Sequence, residues 1–406
     1  MRILFVHQNF PGQFVHLAPA LIARGHQVLA LTGSNNPNPI KIPVARYPWE
    51  PRTFDAEGFR LAKTFAEMSH RGEAVAAAAA VLQEKHGFVP DVVFGTPGWG
   101  EMLFLPQVWP QARRLLYGEF FYTPDGPNEG FDPEFQKSNL RTRVTIAAGC
   151  AHLLMSSVDA HKLLAPTRWQ AQSFPSYLQD RISVIHDGID TACVTPDRTV
   201  RVAIPGTCIT VQHGDELLTF INRNLEPSRG FHIFMRALPA VLKARPNARV
   251  VIIGGDERSY SPVPGSGKTW RQIMLDEVGA QLDLSRVHFV GKVPYPVFID
   301  LMRASRVHAY LTYPFVLSWS LLEAMSAGAF VIGSRTPPVE EVIKDGVNGR
   351  LVDFFDTGGW SAALIYALAN PQQAEAMRAE GRRTVVENYD LQTNCLPRLI
   401  DFVENP

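Results

Sequence analysis

Cysteine is scarce in this sequence, four in 406 residues, and Cys150, Cys193, Cys208 and Cys395 stand far apart with no C-x-x-C pair and no Cys/His ligand spacing. That argues against a zinc centre and a disulfide framework, and it fits a reducing compartment. An excess of one charge is missing too: Lys+Arg and Asp+Glu number 39 each, so no global field gathers nucleic acid or anionic lipid, and any anion site must be local. No window holds about 18 uninterrupted apolar residues, and the opening MRILFVHQ lacks both a basic n-region and a long apolar stretch. A cytoplasmic protein is expected, at most a peripheral visitor to the inner face of the cell membrane. Arg113–Arg114 and Arg141/Arg143 are either the basic clusters for such a visit or plain solvated faces. Fixed-period repeats and low-complexity tracts are absent as well.

What is present is a hydrophobic content of 46% in a chain too long for one ordinary core, which implies two domains. Short apolar runs alternate with amphipathic stretches, the pattern of parallel βαβ units. In the first half, strands are expected at Ile3–His7, Val28–Thr32, Val92–Gly95, Leu115–Tyr117, Leu163–Ala165 and Ser183–His186, with a helix from Gln13 to Arg24 stopped by Gly25. The series restarts with strands at Leu218–Ile221, Val250–Ile253, His288–Val290, Ala309–Thr312, Phe330–Gly333 and Arg350–Val352. The expected fold is therefore α/β, two doubly wound Rossmann-like domains. Pro196, Pro205 and Gly206 break the periodicity between Asp190 and His213, so the domains are set at 1–197 and 198–387, with a C-terminal helix, about 388–406, returning to the first.

Two phosphate-binding motifs fail on inspection. PGSGKT at Pro264–Thr269 resembles a P-loop, but Pro262 stands where that motif needs glycine, and no strand feeds directly into it. The turn after the first strand, HQNFPGQF, has only Gly12 in place of G-x-G-x-x-G, which disfavours a nicotinamide or flavin enzyme. Gly12 either lets a backbone approach a ligand or merely makes the βα turn.

Better candidates lie in the second half. Val307 to Ser334 reads as strand, loop, helix, glycine and strand, with one carboxylate, Glu323, inside the apolar helix. Ser318 or Ser320 caps that helix, whose first turn then offers backbone N–H groups and partial positive charge to an anion. Ser320-Leu321-Leu322-Glu323 also fits the capping box S-x-x-E, in which Glu323 serves only its own helix end. Arg223 and Arg229 flank one loop after the strand LLTFIN, either as a diphosphate clamp or as two solvated arginines. Gly255 and Gly291-Lys292 close two further strands of the same sheet, at the edge where open α/β sheets bind ligands.

These residues carry a resemblance. NLEPSRGFHIFMRALP and LTYPFVLSWSLLEAMSAG resemble the donor-binding domain of the retaining, nucleotide-sugar-dependent glycosyltransferases of family 4, the bacterial group 1 glycosyltransferases. HQNFPGQF, PDVVFGTPGWGEMLFL, EGFDPEF, APTRWQAQSFP and ISVIHDGIDT are similar to the N-terminal domain of one branch of them. The resemblance implies the GT-B architecture, two Rossmann-like domains facing across a cleft. It also implies that Arg223 and Arg229 hold the donor diphosphate, that Ser318, Trp319 and Ser320 contact phosphate oxygens, and that Glu323 hydrogen-bonds the ribose as the second Glu of E-x7-E, which outweighs the capping-box reading. The first Glu of that motif falls at Phe315, by the donor sugar. Lys292 falls near the base, or is a surface lysine. His7 and Glu119 are acceptor-side candidates, each either a binding or a structural residue.

The implied activity is a hexosyl transfer from a nucleoside-diphosphate sugar to a glycan, lipid-linked or small-molecule acceptor, in bacterial surface or extracellular glycan assembly. Electrostatic stabilisation of the leaving diphosphate would be the main catalytic effect. No metal or other cofactor is expected, because no D-x-D triplet occurs and protein cations can neutralise the diphosphate. Two alternatives are a sugar-nucleotide epimerase of related fold and a catalytically silent nucleotide-binding protein.

Overall fold

The computed structural model describes residues 1–50, 60–262 and 264–405. The chain divides into two compact units, Met1–Asp187 with Gln392–Pro406, and Gly188–Leu391.

Among the described residues the first unit has seven strands: β1 Arg2–Val6, β2 Gln27–Gly33, β3 Val44–Tyr47, β4 Val92–Gly95, β5 Arg113–Tyr117, β6 Lys162–Ala165 and β7 Ile182–Val184. They form one parallel sheet in the order β3-β2-β1-β4-β5-β6-β7. Helices cover both faces, so the central strands carry continuous apolar stretches, as in Ile3-Leu4-Phe5-Val6 of β1, and do not alternate. One face of β1 buries Leu4 and Val6 with Val75, Ala79 and Trp109; the other buries Ile3 and Phe5 with Phe14, Leu399 and Phe402.

The second unit starts with a two-stranded antiparallel hairpin, β8 Arg201–Ala203 and β9 Thr210–Gln212. Its main sheet contains β10 Leu217–Asn224, β11 Arg249–Gly255, β12 Val287–Gly291, β13 Val307–Tyr310, β14 Phe330–Ser334 and β15 Arg350–Val352, ordered β12-β11-β10-β13-β14-β15 and again all parallel. Val250, Val251, Ile252 and Ile253 of β11 are each at most 5% exposed, a gross burial gain of about 6–12 kcal/mol for four side chains. Both sheets have the expected α/β fold, and each has one switch point where the strand order reverses: between β1 and β4, and between β10 and β13.

Several local expectations need correction. The boundary falls at Asp187/Gly188, not 197/198, and backbone carbonyls between Thr191 and Thr195 are bonded to helices of the second unit. The Arg382 guanidinium donates to Thr191 O, Val194 O and Ser326 O, and Arg303 donates to Cys193 O and Thr195 O. The return crossing lies at Leu391/Gln392, a few residues after 388. The helix expected over Gln13–Arg24 is a 3-10 turn at Gly12–Phe14 followed by Leu17–Ala23, with Gly25 at φ +88° past its end. Strand β3 and the β8–β9 hairpin were not expected. The P-loop lookalike is a cap: Thr269 and Gln272 form a capping box on the helix Trp270–Val278, and Lys268 pairs with Asp276 at 2.6 Å. Among the described residues no helix is long and apolar enough to cross a membrane.

Candidate active site

In the second unit the sequence-predicted residues converge on the carboxyl ends of β10 to β13. Arg223 sits at the end of β10, exposed, and its side chain makes no hydrogen bond or ion pair among the described residues. Arg229 closes the 3-10 turn Pro227–Arg229 and is 7% exposed. Its Nη1 donates to Thr312 Oγ1 at 2.8 Å and to Val316 O at 2.7 Å, and its guanidinium lies against the rings of Tyr260 and Phe315, 5.1 and 5.5 Å from their centroids. The other guanidinium nitrogens have no partner among the described residues. Gly230 follows at φ +69° and caps the helix Phe231–Ala244; a Cβ there would collide with Leu311, so only glycine lets this turn meet the loop after β13.

Phe315, at the position of the first Glu of the family motif, is buried and packs edge-on against Tyr260 at 4.9 Å. Tyr260 is held in place by Glu226, a buried carboxylate that accepts the backbone N–H groups of Tyr260 at 3.1 Å and Ser261 at 3.0 Å and the Ser228 hydroxyl at 3.0 Å. Tyr260 and Glu226 escaped the sequence reading.

The helix after β13 runs Trp319–Ser326 and is capped by Ser318, whose Oγ accepts the Ser320 N–H at 3.4 Å. Ser318 N–H donates to Tyr310 Oη at 2.8 Å; Trp319 is exposed and Ser320 buried. This overturns the capping-box alternative. The helix begins before Ser320, and the Glu323 carboxylate turns away from the helix start to accept the Tyr295 hydroxyl at 2.8 Å. Glu323 is 7% exposed, and burial pushes its pKa up to about 7 although the Tyr295 bond favours the ionised form. Burial, then the facing Glu323, raises the Tyr295 phenol.

Tyr295 also lines a depression of about 380 Å³ with Asn222, Arg223, Ile253, Lys292 and Phe298. Lys292 on its rim pairs with Glu257, and Gly255 lies beneath, where a Cβ would come within 2.8 Å of Lys292 Cε. Free guanidinium, apolar wall and a carboxylate behind a tyrosine thus share one concave surface. A larger depression of about 660 Å³ flanks the helix Phe231–Ala244 near Asp283 and Arg286, at the amino end of β12. Its Arg286–Asp283 pair at 2.7 Å already satisfies both charges, and it lies away from the strand ends that bind ligands.

The first unit places His7 at the end of β1 and exposed Glu119 after β5, with β4 between those strands. His7 is 8% exposed, burial lowers its pKa to about 4, and Nδ1 accepts the Asn9 N–H at 3.1 Å. The ring is therefore neutral at pH 7. Gly12, at φ +48°, sits over it: a Cβ would come 2.8 Å from the imidazole, so this glycine shapes the turn around His7. Beyond β4 the sequence reading missed Glu101, wholly buried, which accepts the Tyr47 hydroxyl at 2.6 Å. Burial raises its pKa to about 7, with the Tyr47 bond and the Arg71 charge pulling the other way.

Two family models match the chain, the glycosyl transferase family 4 group over residues 24–194 and the glycosyl transferases group 1 over residues 210–384. A D-inositol 3-phosphate glycosyltransferase of Mycolicibacterium vanbaalenii is 29% identical over 216 residues, 52% of this chain and 46% of that protein. The chain spans about half the length of the curated relatives it matches. Among solved structures, sucrose-phosphate synthase from Thermosynechococcus elongatus is similar with a TM-score of 0.73 at 16% identity, covering 98% of this chain and 97% of that one. Anabaena HepE in complex with UDP-glucose is similar with a TM-score of 0.68 at 16% identity, covering both chains fully.

Proposed function

The chain belongs to the group 1 glycosyltransferases and has their GT-B fold, and from that premise we propose that it transfers a hexose from a nucleoside-diphosphate sugar to an acceptor hydroxyl with retention at the anomeric carbon. The observation that carries this reading is the pair of arginines at the β10/β13 switch point: Arg223 unpaired, and Arg229 anchored through one nitrogen with the rest of its fork unused. As the anomeric C–O bond breaks, its electron pair goes to the leaving diphosphate. Two guanidiniums and the amino end of the helix Trp319–Ser326 stabilise the charge that develops there. Because these groups are fixed before the reaction, little reorganisation is needed at the barrier.

Glu323, oriented by Tyr295, is placed to accept ribose hydroxyls, and the wall of Ile253 and Phe298 with Lys292 on the rim faces the base. The neighbours support a nucleotide sugar as donor, since HepE is described with UDP-glucose and an Arabidopsis starch synthase with ADP. We assign the chain no metal requirement, the diphosphate being neutralised by protein cations. Its place is in bacterial surface or extracellular glycan assembly, on the cytoplasmic side of the membrane. Phe315 in place of a carboxylate favours one competing reading, a nucleotide-binding protein without turnover.

The test is release of nucleoside diphosphate from UDP-glucose and ADP-glucose with sugar acceptors, followed by NMR of the product's anomeric configuration. Acceptor-dependent release that Arg223→Ala abolishes, with the donor's configuration kept, is the expected result. Tight UDP binding with no release from any donor would favour the silent binder, and an inverted product would overturn retention.

A further inference from the structure

Tyr295 is the first residue of the helix Tyr295–Ala304, entered from Pro294 after β12. That position sets its ring against Phe298, one turn on, with centroids 5.7 Å apart, and leaves 55% of the residue in water. Its hydroxyl nevertheless reaches inward and donates to Glu323 Oε1, on the neighbouring helix Trp319–Ser326, at 2.8 Å. Glu323 is nearly buried, and its Oε2 accepts no hydrogen bond among the described residues.

One hydrogen bond from a half-exposed tyrosine compensates poorly for a buried carboxylate, and an apolar pair would join the two helices as well. A tie between helices alone therefore leaves the carboxylate unexplained. Its protonation state matters to any diol beside it. An ionised carboxylate accepts on about four lone-pair sites, of which Tyr295 uses one, and both hydroxyls of a ribose can donate to the rest. A protonated one carries a donor of its own and loses part of that capacity. Burial favours the protonated form of Glu323 and the Tyr295 bond the ionised one, and the balance lies near pH 7. On the helix of Tyr295, Asp300 and Arg303 pair with each other at 2.8 Å; on the helix Glu375–Tyr389, Arg382 reaches Ser326 O at 2.7 Å, one turn beyond Glu323. Strand β14, FVIGS, brings no titratable side chain to the pair. Asp190 and Cys193 act on the phenol, and Arg223 and Lys292 share its depression, Lys292 paired with Glu257.

We propose that Tyr295 is a positioning residue of this site: by donating to Glu323 it keeps the carboxylate ionised and aimed at the depression, where only the ionised form receives the ribose hydroxyls of a nucleotide. Binding then follows the charge of Glu323, and molecules that carry its proton release it to solvent as nucleotide enters. That the ligand is a nucleotide rests on the donor reading above; the hold of Tyr295 on the charge of Glu323 does not.

Calorimetry of UDP-glucose with the whole chain between pH 5.5 and 8.5 tests it, because this ligand lacks the terminal phosphate that would itself titrate near about pH 6. Affinity should be level above about pH 8 and fall by up to about tenfold for each pH unit below about 7. Tyr295→Phe, a conservative change at a half-exposed position, should move that fall to higher pH, weakening binding about three- to tenfold at pH 7 and by less at pH 8.5. The 2′,3′-dideoxy form of the same nucleotide sugar should bind more weakly and lose the pH dependence. Carbon-13 NMR of the carboxyl, without ligand, should show Glu323 titrating at higher pH in Tyr295→Phe than in the parent. An equal loss at every pH would reduce Tyr295 to packing, and tighter binding would make its hydroxyl a competitor of the ribose; either result overturns the proposal, as does an unchanged carboxyl titration. A parent protein that binds no nucleotide sugar at any pH would overturn the donor reading and the ribose half of this one, whereas binding with a pH profile that Tyr295→Phe does not move would overturn this one alone.

Discussion

At the carboxyl edge of the second sheet Arg223 stands in solvent beside an open depression, whereas at the same edge of the first sheet Arg71 is nearly buried among indoles and a carboxyl group. Both edges follow from one topology, a parallel sheet whose order reverses once. The loops make them chemically different. One presents an unpaired guanidinium to solvent; the other holds a neutral imidazole, a carboxyl with raised pKa and a shielded cation. Topology fixes where a ligand binds, and the residues after each strand fix what it is.

The largest effects should come from the glycines that bring loops together. Gly100→Ala meets rigid backbone at Met68, and Gly230→Ala meets a side chain at Leu311, both at positive φ. Each should cost about 2–5 kcal/mol, Gly100→Ala more, by urea unfolding. A reversed order would show that the first edge yields more readily than the second.

Glu323→Gln and Glu101→Gln sharpen the comparison through pH. Each carboxyl has its folded pKa raised from 4.5 to about 7, so the folded state binds the extra proton between those values and stability falls as pH rises through that window. Removing the charge should stabilise either variant at pH 8, by up to about 3 kcal/mol, and give no such gain at pH 4. Only Glu323→Gln should also weaken UDP binding. Equal losses of UDP affinity in both variants would erase the distinction between the two edges.

Arg229→Ala and Arg223→Ala separate anchoring from binding. Arg229→Ala leaves Thr312 Oγ1 and Val316 O without their donor and should lower stability by about 2–3 kcal/mol as well as UDP affinity. Arg223→Ala should change stability by less than about 0.5 kcal/mol and weaken UDP by about 1–3 kcal/mol. Unchanged UDP affinity in a folded Arg223→Ala protein would remove the donor site from this edge. The smallest expected effect is none: donor turnover should persist in excess EDTA, and reversible loss on chelation would contradict neutralisation by arginine.

The strands of both sheets were legible because doubly covered parallel strands read as near-continuous apolar runs, as in LLTFI or VVII. β3 was not, because V-A-R-Y buries only Tyr47 and sits at the sheet edge. The three-residue hairpin strands were hidden behind Pro205-Gly206, which read as a break and is part of their connection. Arg223, Arg229 and Glu323 follow strands and open or enter helices, so local sequence marks them. Tyr295, Tyr260, Arg71 and Glu101 owe their surroundings to partners far along the chain: 28 residues separate Tyr295 from Glu323, and 54 separate Tyr47 from Glu101. No local pattern records those meetings.

The last helix, Leu396–Glu404, buries Leu399, Phe402 and Val403 in the core of the first unit, where Glu404 also binds Arg24 at 2.6 Å. During synthesis from the amino end, the first unit therefore waits for residues made after the whole second unit has left the ribosome. The half of the protein that is translated first is completed last. Until then, one face of its sheet lacks the side chains that close it, and that interval is when the growing chain is most exposed to aggregation.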